Sequence, residues 1–225
     1  MNRVLPMALS WLLLLGILVS TPVLAKAPSA EERQLELLAI WYEIREGVAA
    51  KGDVEAKFDV GEANYHGRGT GADHAKAVHW FSRAANRGHA QAHYYLGYMH
   101  ASGLGVSTDP EKSLQHYLRA AELGHLEAQF YMAVAYEGGH GLQADPIAAL
   151  RWYRVAAEQG DPRAQNRLGD LYIRGNEPNL EEAYLWYSLA GNGERIAEVR
   201  KALTRSQIAS ADGRVRAFSP ATFQR

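Results

Sequence analysis

The sequence predicts an all-α solenoid of four helix–turn–helix repeats with capping helices at both ends, on three observations. Ala56, Ala92, Ala128 and Ala164 recur at intervals of 36 residues. Four residues on stands Val60, Leu96, Met132 or Leu168, followed at once by Gly61, Gly97, Ala133 or Gly169. Later in the units come an aspartate (Asp73, Asp109, Asp145), an aromatic (Phe81, Tyr117, Tyr153, Tyr187) and an Ala-Ala pair (84–85, 120–121, 156–157). Gly88, Gly124 and Gly160 close the first three units. A fixed period of 20–50 residues denotes stacked supersecondary units, because one short unit cannot bury its own apolar face.

The divisions that follow are a signal peptide (1–25), an N-terminal capping helix (26–55), four repeats (56–91, 92–127, 128–163 and a short 164–194), and C-terminal capping helices with a tail (195–225). Arg3, the apolar run Trp11–Val19 and the small residues around Val23-Leu24-Ala25 have the form of a cleavable export signal. The expected location is therefore periplasmic, with secretion or an uncleaved N-terminal anchor as alternatives. Residues 30–50 read as an amphipathic helix, with Leu35, Leu38, Ile40, Trp41 and Ile44 at helical spacing and Glu31, Glu32 and Glu36 near its amino end. Its expected role is to cover the exposed edge of the first repeat.

Within a unit the pattern reads helix, glycine turn, helix. In the second unit Ala92, Tyr95, Leu96 and Met99 mark the first helix and Gly103-Leu104-Gly105-Val106 stops it. Asp109-Pro110 opens the next as cap and first-turn proline, as does Asp145-Pro146. The fourth unit has a turn two residues shorter, Gly175–Asn179, and Ala190-Gly191 in place of the alanine pair. Closing helices are expected over Arg195–Leu203 and from Thr204, which with Gln207 forms a capping box, with fraying from Ala217 onward.

Composition narrows the function classes. The net charge of −1 gives no footprint for nucleic acid. Charge is nonetheless uneven, with 16 basic and 23 acidic residues over 26–194 against 7 and 2 over 195–225. Zero cysteines exclude a disulfide framework and thiol chemistry.

Ala-x-x-x-Leu-Gly-x-x-Tyr-x-x-Gly-x-Gly, an aspartate, then Ala-x-x-Trp-Tyr-x-x-Ala-Ala-x-x-Gly resembles the Sel-one-like repeat family, a relative of the tetratricopeptide repeats. The third unit carries it through Ala128, Tyr136, Gly139, Gly141, Asp145, Ala149, Trp152, Tyr153, Ala156, Ala157 and Gly160. The resemblance spans about residues 56–194 and implies a right-handed α/α superhelix acting as an adaptor. It also implies two narrower alternatives: a structural part of an envelope machine such as a flagellar motor, or a cell-wall or β-lactam-binding protein. Asn64, His100 and His116 stand where the family favours tyrosine or tryptophan, which predicts looser packing there.

Reactive chemistry finds little support. The glycine-rich stretches 67–71, 103–105 and 138–141 follow no strand and lack a Gly-Lys-Ser/Thr ending, so they read as turns, not phosphate loops. His93 and His100 fall on one helix face without a third ligand at a convincing offset, so no metal is expected. His89 and His125 read as solvated loop histidines. No Gly-x-Ser-x-Gly or Ser-x-x-Lys supplies a nucleophile, so the expectation is a non-enzyme with no cofactor.

A binding surface is the better expectation. In such a superhelix the first helix of each unit lines the concave wall. Phe58, Tyr94 and Phe130 lie two residues after the opening alanine, Glu62, Tyr98, Val134 and Asp170 six after, and Tyr65 and Glu137 nine after. These offsets share a helical face. They suggest an aromatic groove with acidic edges for a protein or peptide of the cell envelope. The aromatics two residues in also fit a packing role, leaving Tyr98, Glu62 and Asp170 as the stronger candidates. The basic C-terminal residues Arg195, Arg200, Lys201, Arg205, Arg214, Arg216 and Arg225 read as a solvated capping face rather than a membrane contact.

Overall fold

The computed structural model describes residues 29–174 and 177–220, so the expected signal peptide and Arg225 lie outside the described residues. Eleven helices account for the described fold: α1 (Ala30–Ala50), α2 (Val54–His66), α3 (His74–Ala85), α4 (Ala90–Ser102), α5 (Pro110–Glu122), α6 (Leu126–Gly138), α7 (Pro146–Glu158), α8 (Pro162–Arg174), α9 (Leu180–Leu189), α10 (Gly193–Arg200) and α11 (Arg205–Ala217). From α1 to α10 each helix packs on the next in sequence, which is the contact pattern of a solenoid. The units are the hairpins α2–α3, α4–α5, α6–α7 and α8–α9, with α10 and α11 both seated on α9.

Small residues allow the close approach. The four period-marking alanines are fully buried, as are Ala84, Ala120, Ala156 and Ala183 on the second helices. Where the first helix carries glycine, the aromatic of the second helix sits on it. A Cβ built at Gly61 would lie 2.6 Å from the Phe81 ring, at Gly97 2.9 Å from Tyr117, and at Gly169 2.5 Å from Tyr187. Any added side chain must displace that ring.

Caps fix where each helix begins. Asp73 and Asp109 accept the amides of Lys76 and Lys112, and Asp145 accepts those of Ile147 and Ala148. The first helices are capped at positions 53, 89, 125 and 161, again 36 apart, by Asp53, His89, His125 and Asp161. His89 and His125 are therefore not solvated loop residues. Their side chains are only 14% and 13% exposed, because each ring caps its helix and stacks on an aromatic of the preceding unit. His89 lies on Phe58 and His125 on Tyr94, both with centroids 4.4 Å apart.

The departures from the repeat pattern are filled, not loose. Asn64 is fully buried, donating to the Val60 carbonyl at 2.7 Å and meeting the Tyr42 hydroxyl of α1 at 3.1 Å. His100 stacks on His116, whose Nδ1 lies 3.0 Å from His93 Nδ1. The described tail is also ordered by contact. Phe218 meets Trp186 edge-on at 6.5 Å, and Pro220 lies against Gly160, so fraying does not begin at Ala217.

α1 caps the array, but of its predicted apolar stripe only Leu38 lies on the inward face. Tyr42, Val48 and Ala49 pack with Ala56, Val60 and Trp80, and Arg45 pairs with Asp59. Leu35, Ile40, Trp41 and Ile44 are exposed. The reason lies in the first turn: Gly69 comes so close to the Leu38 carbonyl that a Cβ there would lie 2.2 Å from it. That approach fixes which side of α1 faces inward.

Candidate functional site: the wall of first helices

Helices α2, α4, α6 and α8 stand in register, and their side chains link one unit to the next. The wall they form has two parts of different chemistry. Around α4 and α6 it is built of tyrosines. Tyr65 meets Tyr95 at 5.4 Å, Tyr94 meets Tyr117 at 5.6 Å, and Tyr117 meets Tyr131 at 4.3 Å between centroids. Tyr98 sits beside Tyr65. Tyr98 is 42% exposed and Tyr131 40% exposed, both large for aromatic side chains in a packed array.

Burial raises the phenols of Tyr65, Tyr94 and Tyr117 above the ordinary tyrosine value. Burial and the adjacent Glu62 carboxylate push Tyr95 up to about 12. These hydroxyls stay protonated at any physiological pH, and that of Tyr95 donates to Glu62.

Around α8 the wall is ionic and internally bonded. Glu137 accepts the Tyr153 hydroxyl at 2.6 Å and both Nε and Nη2 of Arg167 at 3.1 and 2.6 Å. Asp170 accepts the Tyr187 hydroxyl at 2.8 Å, with Arg167 and Arg195 at 3.6 and 3.7 Å. Burial works to raise the Glu137 carboxyl, but the hydrogen bonds from Arg167 and Tyr153 outweigh it and hold it below the ordinary range. At the other end Glu62 is similarly engaged, by Tyr95 at 3.0 Å and Arg68 at 2.9 Å.

The candidate residues therefore separate. Phe58 is 5% exposed within the core and offers a partner no surface; its ring is covered by His89, Phe81 and Tyr95. Tyr94 is half-buried under His125, and Phe130 is half-buried with the Arg163 guanidinium 4.4 Å above its ring. Arg163 is itself held by Asp161. All three aromatics two residues into the unit thus pack against the next unit. Val134 is half-buried, packed against the cluster around Tyr153. Glu62, Glu137 and Asp170 lie on the wall but are already hydrogen-bonded within it. Tyr65 is half-buried between His66, His74 and Tyr95. Tyr98 alone among these candidates is exposed.

Tyr131, which joins Tyr98 at the surface, stands three residues into its unit, an offset the sequence reading passed over. Its counterparts Asp59, Tyr95 and Arg167 are chemically dissimilar, so no repeat signal marks it. Its three-residue offset from the position of Tyr98 on the same helical face is the one available clue.

Among the described residues no group of three or more His, Asp or Glu side chains has the geometry of a metal centre. No described helix is long and apolar enough to cross a membrane. In the basic C-terminal segment, Arg195 bonds Glu198 within α10 at 3.0 Å, and Arg214 of α11 pairs with Glu182 of α9, so part of that charge holds α11 to α9.

Comparison with known proteins agrees with this architecture. The Sel1 repeat family model matches residues 54–89, 90–125, 126–161 and 162–193. A Sel1 repeat protein from Oxalobacter formigenes superposes with a TM-score of 0.63 at 28% identity, covering 80% of each chain. A protective antigen of uropathogenic Escherichia coli with an SLR fold aligns at 22% identity and a TM-score of 0.43, over 83% of this chain and 57% of that one. No curated protein matches by sequence. Sel1 repeat proteins generally mediate protein–protein interaction. With four matched copies over more than half its length, the chain belongs to the Sel1 repeat family.

Proposed function

We propose that the protein is a non-catalytic, exported scaffold that holds a segment of a cell-envelope protein along its wall of first helices. The carrying observation is the pair Tyr98 and Tyr131, both about two-fifths exposed in a wall whose other aromatics are packed and whose carboxylates are bonded internally. Tyrosine suits this role because it offers a large contact area with two side-chain torsions to fix and a hydroxyl at its tip. Glu62 and Asp170 are bonded within the wall on either side, so the open tyrosines between them favour a segment with apolar anchors. The periplasmic setting rests on the export-like sequence of residues 1–25.

The test is capture in the intact envelope by a photoreactive amino acid at position 98 or 131, with the partner identified by mass. A single species crosslinked from both positions, and not from an exposed second-helix position such as Glu158, supports the reading. Capture only from the second helices would place the partner on the other face.

A further inference from the structure

Five of the eight exposed large apolar side chains among the described residues lie on one helix, α1: Leu35, Leu37, Ile40, Trp41 and Ile44. Leu37, Ile40, Trp41 and Ile44 follow the i, i+3, i+4, i+7 spacing of a single seam and are 67, 53, 40 and 63% exposed. The repeat register explains what this seam is. Gly69 approaches Leu38 of α1, and one period later Gly105 approaches His74 of α3. The 36-residue period therefore carries through α1, which holds the place of a second helix in a unit preceding the first.

On α3 and α5 the equivalents of Trp41 are Ala77 and Ser113, both buried. Ser113 donates its hydroxyl to the Gly97 carbonyl at 2.7 Å, so this face of a second helix is where its own first helix packs. α1 presents the Trp41 edge of that face with no first helix on it among the described residues, and Ile40, whose equivalents Lys76 and Lys112 are exposed, lies at its outer margin. The other end of the array differs: α9, the last second helix, is covered by α10 and α11.

We infer that α1 docks an amphipathic α-helix of another protein, carrying an apolar stripe and a basic flank, in the place of the missing first helix. Charge selects this occupant. Residues 30–50 hold five glutamates against two arginines, and Arg45 is already paired with Asp59. Glu36 and Glu43 are exposed, seven residues apart along one side of the seam. A second copy is disfavoured, since antiparallel pairing centred between Ile40 and Trp41 brings Glu36 of each copy to within two residues, about 3 Å along the axis, of Glu43 of the other. The apolar seam also exposes only on the order of 500 Å², against about 800 Å² per partner in a standard stable interface. An anionic membrane meets the same acidic flank.

This site is separate from the tyrosine wall and is tested separately. Two synthetic helices of roughly 20 residues, with the same leucine stripe and either a lysine or a glutamate flank, are titrated into the protein as the cell processes it. Binding is read by anisotropy and by hydrogen exchange over residues 30–50. The lysine-flanked helix is expected to bind at least tenfold more tightly, to weaken with added salt, and to slow exchange in α1. Ile40→Glu with Ile44→Glu abolishes this while helicity is unchanged; Tyr98→Ala leaves it intact. Equal binding of the two helices, or binding indifferent to the double substitution, overturns the inference. So does a dimer in sedimentation that the double substitution dissolves, association of the seam with phospholipid vesicles, or a seam protected by residues 1–28 of the same chain.

Discussion

The wall of first helices is ionic at one end and aromatic in the middle, and the two parts differ in how far they are committed. Around α8 the carboxylates of the wall are tied to partners: Glu137 to Arg167 and Tyr153, Asp170 to Tyr187, Arg167 and Arg195. Around α4 and α6 the tyrosines stack on one another, yet Tyr98 and Tyr131 remain substantially open. The lesson concerns which residues hold shape and which hold partners. A carboxylate that already accepts a tyrosine hydroxyl and an arginine fork has little left to offer a ligand, whereas an open tyrosine is still to be covered.

The largest effect expected falls on neither part but on the hairpins beneath both. Gly97→Ala and Gly169→Ala each force a methyl into a tyrosine ring, at a cost of about 2 kcal/mol. Chemical denaturation should show similar losses for the two. A loss confined to one would mean that the two parts are not built on the same hairpin.

Arg167→Ala sharpens the contrast. It strips two carboxylates of their shared partner at a partly exposed site and should cost about 1 kcal/mol of stability. Because the Glu137 carboxyl lies below its ordinary value when folded, its contribution is present above the ordinary carboxylate range and lost as pH falls through the folded value. The wild-type advantage over Arg167→Ala should therefore shrink in thermal melts below about pH 4.

An effect confined to acid pH belongs to the histidines between α4 and α5. Burial lowers His116 to about 4, with His93, His100 and Lys112 as further positive neighbours, and burial also lowers His93. The unfolded chain takes up these protons first, so stability is fully present above the ordinary imidazole value of 6.5 and declines as pH falls toward 4. His116→Phe should flatten that part of the melting profile. An unchanged slope would show that this cluster does not carry the dependence.

Much of the fold was legible because it repeats. The alanines at 56, 92, 128 and 164, the aspartate caps and the turn glycines each recur, and their chemistry has one structural use. The capping histidines were less legible, since histidine is an uncommon cap; only their alignment with Asp53 and Asp161 in the period reveals the role. The seam on α1 misled for a different reason. Periodicity reports that a helix has an apolar face, but not whether the molecule itself covers it. The docking residues were legible only in part, because the offset that holds the open Tyr98 holds a half-buried Val134 and the internally bonded Glu62 and Asp170 in the other units.

The central claim is that the tyrosine part of the wall engages the partner and the ionic part does not. Tyr98→Ala with Tyr131→Ala, set beside Glu137→Gln with Asp170→Asn, tests it in a single affinity measurement on the crosslinked partner. The account predicts at least a tenfold weakening for the tyrosine pair, with melting temperature nearly unchanged, and less than a threefold change for the carboxylate pair. The reverse order, or equal loss of affinity and stability in the tyrosine pair, would contradict it.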